Sequence, residues 1–142
     1  MVFTTYFAKI KYLPQNVIPI SICAKAPCWY EGIQYRKLAP KYEFFQEWKR
    51  TGDNAYYIEH FSAEVLDTLN FYRVLDDLQV LIPDWIKRQM QEPFWRSDQW
   101  HIALVCYEKP SDFCHRHLVS DWFCKNGIDC RELTVIGKNC IK

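Results

Sequence analysis

Residues 106–117 (CYEKPSDFCHRH) put two thiols, two imidazoles, two carboxylates and an arginine within one short stretch. A cysteine beside a histidine suits nucleophilic catalysis, because imidazole takes the thiol proton and the thiolate is the reactive form. Glu108 adds a carboxylate able to move protons, and Arg116 offers a planar fork of donors to an anion. Spacing excludes two familiar chemistries. The cysteine-phosphatase loop needs an arginine six positions after its cysteine, but Asp112 stands there after Cys106 and Ser120 after Cys114. No glycine-rich phosphate loop occurs either, with only four glycines in the chain.

Ser111 sits where a helix N-cap belongs, which places Cys114 in the first turn. Unpaired N–H groups and the helix dipole there favour an anion and lower a thiol pKa. The same end can take a phosphate, with Ser111, Arg116 and His117 nearby. At about 100° per residue, Leu118, Val119 and Trp122 mark the face turned to the sheet, and His115 falls in the middle of that arc. His117, Ser120 and Asp121 fall on the other side. His115 is therefore expected to point inward, with Glu108 as its hydrogen-bond partner. A purely structural reading competes: His115 satisfies loop carbonyls, Glu108 and Arg116 form an ion pair that fixes the turn, and Cys114 fills the core.

These groups need elements to position them. Residues 102–107 (IALVCY) form an unbroken apolar run, the mark of a strand buried on both faces. The helix from Ser111 runs to Asn126 and closes at Gly127, and residues 130–136 (CRELTVI) return as a strand. This βαβ unit predicts parallel strands, and ligands bind at the carboxyl edge of such sheets. Upstream, residues 2–12 (VFTTYFAKIKY) and 17–23 (VIPISIC) read as strands, Pro19 indicating an edge position or a late start. Helical spacing covers residues 41–50, 54–69 and 71–81. Residues 83–100 hold three tryptophans expected to pack on the body. Residues 24–40 form a long loop with Lys25, Trp29, Tyr30, Tyr35, Arg36 and Lys37, a mixture of ring faces and cations suited to a base and a phosphate. The alternative is that Trp29 and Tyr30 plug the core.

The fold class expected is α/β: a single domain over residues 1–142, with a small mainly parallel sheet flanked by helices in a three-layer-like arrangement. The chain has 142 residues, 49% hydrophobic and 25% charged, with a net charge of +1. That balance disfavours a basic nucleic-acid binder or a polybasic membrane-surface protein. No apolar run approaches the roughly 20 residues a bilayer requires, and residues 1–6 lack the pattern of a signal peptide. A cytoplasmic location is expected. The 17% of aromatic residues reads mainly as core filling. Seven cysteines, an odd number, with no leader and no C-x-x-C pair, argue against a disulfide framework. A zinc site assembled from Cys106, Cys114, His115 and His117 lacks the usual ligand spacing, so no metal and no cofactor are expected.

The string CYEKPSDFCHRHLVSDWF (residues 106–123) resembles the signature of family 488 of the domains of unknown function: an apolar strand ending in cysteine, a glutamate two residues on, then Cys-His-Arg opening a helix. TTYFAKIKYLP, PISICAKAPCWYEG and YRKLAPKYEFF, from residue 4 to residue 45, resemble its first strand, second strand and Leu-Ala-Pro loop. The resemblance implies a compact α/β domain with site residues Cys106, Glu108, Cys114, His115 and Arg116, together with Ser21 on the second strand. Many members carry an arginine soon after that serine, where this chain has Lys25. The family's reaction is not established.

The combined expectation is an enzyme on a nucleotide-like or phosphorylated ligand, or a nucleobase. Glu108, His115 and Cys114 supply the chemistry. Arg116, Cys106, Ser21, Lys25, Trp29, Tyr35, Ser111 and His117 bind the ligand. Partners are then a small anionic molecule or a short single strand of nucleic acid, with no membrane. The alternative is a non-catalytic nucleotide- or nucleic-acid-binding module that sequesters its ligand, as in phage–host conflict. A third class, a partner-binding domain, would use the tryptophan-rich surface of residues 85–100.

Overall fold

Five strands, β1 (Val2–Tyr6), β2 (Val17–Ser21), β3 (Ile33–Gln34), β4 (His101–Cys106) and β5 (Cys130–Glu132), build one all-parallel sheet in the order β3-β2-β4-β1-β5. The computed structural model that shows this describes residues 1–109, 112–136 and 139–141. All six residues of β4 are buried, the physical reason its sequence is an apolar run rather than an alternation. Thr4, Thr5 and Ser21 are buried with their strands.

In register, Val2–Tyr6 pairs with residues 102–106, and Val17–Ser21 with residues 101–105. The carboxyl ends of β1, β2 and β4 therefore emerge side by side. Pro19 sits inside the sheet, yet β3 pairs only with Ile20 and Ser21. At Pro19 that flank of β2 lies beyond the β3 register, so the missing N–H is tolerated as on an edge.

Two strand expectations are corrected. The first strand ends at Tyr6, and Phe7–Tyr12 is a 3-10 turn whose Phe7 packs against Cys23, Tyr30, Val105 and Cys106. The predicted strand at residues 130–136 divides after Glu132. Leu133 is buried beneath the sheet, and β6 (Thr134–Ile136) pairs antiparallel with β7 (Asn139–Ile141) in a separate hairpin. The expected βαβ unit is parallel, but β1 lies between β4 and β5, so the N-terminal strand completes the unit.

The helices are α1 (Tyr42–Thr51), α2 (Asn54–Glu64), α3 (Phe71–Leu81), the short α4 (Asp84–Lys87) and α5 (His115–Lys125). Asp53 accepts from the Tyr56 N–H at 3.1 Å and Asn70 from the Arg73 N–H at 3.1 Å, the N-caps that start α2 and α3. Gly52 (φ 69°) and Gly127 (φ 86°) supply the left-handed residues beyond α1 and α5. α2 stops five residues before the predicted Leu69, because Val65 leaves helical geometry (φ −116°, ψ −69°) and a 3-10 turn follows.

Every one of these helices feeds a single core. Phe44, Tyr57, Phe61, Leu78, Ile86, Val119 and Phe123 meet Ile20, Ile102 and Leu104 on one face of the sheet, each contributing about 2 kcal/mol through burial. The other face carries a smaller cluster of Phe3, Val17, Ala103 and Leu133. Much of the aromatic content is spent here, as in the edge-to-face contact of Phe44 on Tyr57 at 5.4 Å. Among the described residues, no helix is long and apolar enough to cross a membrane.

Candidate functional site

The site lies at the carboxyl edge of the sheet, where β4 ends at Cys106 and the chain passes through Glu108 to α5. The predicted cap Ser111 falls outside the described residues. α5 starts at His115, with Cys114 itself at the N-cap position in extended geometry (φ −154°, ψ 143°). Cys114 is therefore one step before the first turn rather than inside it.

His115 points inward as expected, but its partner is not Glu108. Its Nε2 lies 2.8 Å from the Ile22 carbonyl oxygen, just past the end of β2. A carbonyl can only accept, so Nε2 carries the hydrogen and Nδ1 presents a lone pair. That Nδ1 faces sulfur, 3.4 Å from Cys106 Sγ and 4.0 Å from Cys114 Sγ. Burial holds the imidazole down to about 4, against the opposing Ile22 hydrogen bond, and the Arg116 charge adds to the depression. His115 is thus neutral at physiological pH.

Cys106 and Cys114 are joined as a disulfide with Cα atoms 7.3 Å apart, while Cys23, Cys28, Cys124 and Cys130 are free. Cys106, Cys114 and His115 bring their donor atoms within 4.8 Å of one another, and all three are buried. Of the four scattered zinc ligands considered from the sequence, three come together and His117 does not.

A cavity of about 860 Å³ opens onto this cluster, lined by Cys106, Cys114, His115, Glu108 and Lys25. Its aromatic walls are Tyr42, Phe45 and Trp48 of α1, Tyr57 of α2, Tyr107 and Phe113, with Lys49 also lining it. Trp48 and Tyr57 brace Phe113, with ring centroids 5.5 and 5.0 Å away. Cys23 lines the same space, its thiol directed at the Val105 carbonyl (3.8 Å) and pushed up to about 11 by burial.

Arg116 takes a different place from the one expected. It is fully buried and grips Glu132 with two parallel bonds, Nε to Oε1 at 3.0 Å and Nη2 to Oε2 at 3.1 Å. Its Nη1 donates to the Glu108 carbonyl at 2.6 Å, and Tyr6 lies beneath the guanidinium. Thr4 Oγ1 donates to the same Glu132 oxygen that Nε holds. The arginine is a clamp tying α5 to β5 and to the turn after β4, not a cavity-lining anion site. The clamp takes only the main chain of Glu108, which also lines the cavity.

Four further sequence candidates lie outside the cavity lining. Tyr35 is buried, its hydroxyl donating to Asp77 at 2.7 Å, and Lys37 reaches the same carboxylate at 3.4 Å. Trp29 is 59% exposed, edge-on to Phe7. Ser21 is buried, its Oγ accepting from the Cys23 N–H at 3.3 Å, and so shapes the strand end rather than meeting ligand. His117 is half-buried, with Nε2 lacking a hydrogen-bond partner among the described residues. The loop of residues 24–40 is thus largely self-packed, with Tyr30 plugged by a 2.7 Å bond to the Ile33 carbonyl.

Half of the ring faces of the site come from α1, and sequence reasoning missed them. Phe45 and Trp48 fall with Phe44 within an ordinary apolar helical arc, so no local signal set them apart.

Fold and site together define a small α/β protein with a parallel sheet and a Cys–Cys–His centre beneath an aromatic cavity at its carboxyl edge. No protein-family model, curated protein or solved structure matches the chain. The likeness to family 488 rests on the residues quoted above.

Proposed function

We propose that the chain is an enzyme acting on a ring-bearing, anionic, nucleotide-like ligand at the Cys106–Cys114–His115 centre, and that it is a member of family 488 of the domains of unknown function. The observation that carries this reading is the cavity: aromatic faces on its walls, Lys25 and Lys49 among its lining, and the sulfur–imidazole cluster on the same surface. Flat rings stack on such walls, and the ammonium groups suit a phosphate or other anion. With the cysteines reduced, a neutral Nδ1 beside Cys106 Sγ is a base next to a thiol, the pairing nucleophilic enzymes use. Glu108 sits exposed at the same cavity and supplies the second proton-handling group.

The test is incubation of the reduced chain with a panel of nucleotides and nucleosides, with products read by mass spectrometry. A converted product from the parent, lost in Glu108→Gln while that variant still binds the ligand, supports the enzyme. Quantitative recovery of unaltered but bound ligand supports instead the non-catalytic sequestering module. Equal turnover in parent and variant removes Glu108 from the chemistry.

A further inference from the structure

The sulfurs of Cys106 and Cys114, joined in this structure, and the lone pair of His115 Nδ1 converge within 4.8 Å of one another, and reduction would free both sulfurs as ligands. We propose that, once reduced, Cys106, Cys114 and His115 form a three-ligand zinc site whose fourth position opens into the cavity. The inference rests on the site reading above for its location, but not on the identity of the ligand.

Tetrahedral zinc with Zn–S of about 2.3 Å and Zn–N of about 2.0–2.1 Å puts each sulfur about 3.6 Å from the nitrogen. The observed separations from His115 Nδ1, 3.4 and 4.0 Å, bracket that value. The imidazole is already oriented for the task. Its Nε2–H is committed to the Ile22 carbonyl at 2.8 Å, the outer hydrogen bond that fixes the tautomer of metal-binding histidines and leaves Nδ1 to the metal. The three residues come from two rigid elements, the last residue of a fully buried strand and the start of α5. Arg116, the residue after His115, anchors that helix start through Glu132.

The donor set selects the ion. Two thiolates and an imidazole suit zinc better than the oxygen-seeking magnesium or calcium. Among the described residues no fourth protein donor joins the group, and Cys23 directs its thiol to the Val105 carbonyl. Three protein ligands and a cavity on the remaining side is the arrangement of catalytic rather than structural zinc. A bound water there would be polarised for attack, with Glu108 lining the same space, while the metal-free reduced chain keeps the thiol–imidazole pair of the reading above.

The states interconvert by balanced steps. A phosphine reductant takes an oxygen from water to become its oxide, and the two electrons and two protons released convert the S–S bond into two thiols. Zinc then displaces both thiol protons, while the neutral Nδ1 loses none. Oxidised and zinc-loaded chains are therefore mutually exclusive.

The experiment is a zinc titration of the phosphine-reduced chain against a chromogenic chelator, repeated with cobalt to read thiolate-to-metal charge transfer. One ion per chain is expected when reduced and none when oxidised. Cys114→Ser and His115→Gln are each expected to weaken binding about 100-fold or more, and Cys28→Ser to leave it unchanged. His115→Gln retains both thiols, so it keeps the question open to decision if Cys114→Ser fails to fold. Absence of uptake by the reduced parent, or affinity in both ligand variants equal to the parent's, overturns the site. Turnover is read separately: turnover without ion uptake overturns the zinc site alone, and ion uptake without turnover supports it while counting only against the ligand reading.

Discussion

Replacing Glu132 by glutamine tests whether Arg116 is a structural clamp or a ligand group. The substitution keeps the shape and one acceptor oxygen, but strips the charge opposite a guanidinium with no solvent exposure. Removing one partner of a buried ion pair costs about 3–5 kcal/mol, because the remaining charge stays buried and unpaired. Glu132 is 22% exposed, so water can reach that side and the lower end, about 3 kcal/mol, is expected. For a domain of this size that corresponds to a fall in Tm of about 10 °C.

The assay is thermal unfolding followed by circular dichroism, with urea titration to obtain the free energy. Arg116→Met should destabilise the chain by a similar amount, since it leaves the Glu132 carboxylate with only the Thr4 hydroxyl and the Glu108 carbonyl without the guanidinium. The double variant Arg116→Met/Glu132→Leu should recover much of the loss, because an apolar pair of similar volume leaves no buried charge behind. The reasoning fails if each single variant costs less than about 1 kcal/mol while ligand affinity falls. That outcome returns Arg116 to the anion-binding role its position in the sequence suggests.

Two other predictions concern titration and thiol reactivity. The Tyr35 hydroxyl, with Lys37 beside it, holds the Asp77 carboxyl below its ordinary value. A depressed folded pKa contributes stability that is fully present above the ordinary carboxylate range, about pH 4, and is lost as pH falls through the folded value. Asp77→Asn should therefore be less stable than the parent at pH 7, with the gap closing in acid titrations below pH 4; a gap that stays constant with pH would falsify the assignment. For the thiols, burial pushes Cys23 up to about 11 and Cys130 up to about 12, whereas Cys28 and Cys124 are exposed. Brief alkylation at pH 7 followed by peptide mass mapping should label Cys28 and Cys124 well before Cys23 and Cys130, and early labelling of Cys23 would show that its cavity is open to reagent.

How far the sequence could be read depended on whether a residue's role was local. The run at residues 102–107 identified the central strand because burial on both faces leaves no room for polar alternation. The helix at residues 71–81 was bounded correctly because its cap, Asn70, and its apolar face lie within one stretch of chain. The division after Glu132 was not visible, because strand propensity continues through Leu133 while the pairing partner changes from β1 to β7. Nor does any local pattern say that β1, a hundred residues earlier in the chain, inserts between β4 and β5.

The site shows the same division with chemical consequences. Helical periodicity alone turned His115 inward, but its hydrogen-bond partner, the Ile22 carbonyl, is supplied by a strand 93 residues away. Local reasoning offered Glu108 for that role because it stands at the end of the strand toward which His115 was expected to point. The difference decides the protonation pattern: a glutamate partner would favour an imidazolium, whereas here burial keeps the ring neutral and the carbonyl holds its hydrogen on Nε2, leaving the Nδ1 lone pair facing the sulfurs. Arg116 follows the same logic in reverse. Its adjacency to Cys114 and His115 suggested an anion site, yet Glu132 on β5 neutralises it and turns it into the support for the helix start. The chemistry of the cluster therefore depends on two long-range contacts, Ile22 to His115 and Glu132 to Arg116; the first rests on a main-chain carbonyl that no side-chain substitution at Ile22 removes, whereas a variant at Glu132 is expected to disturb the site without touching any residue that lines the cavity.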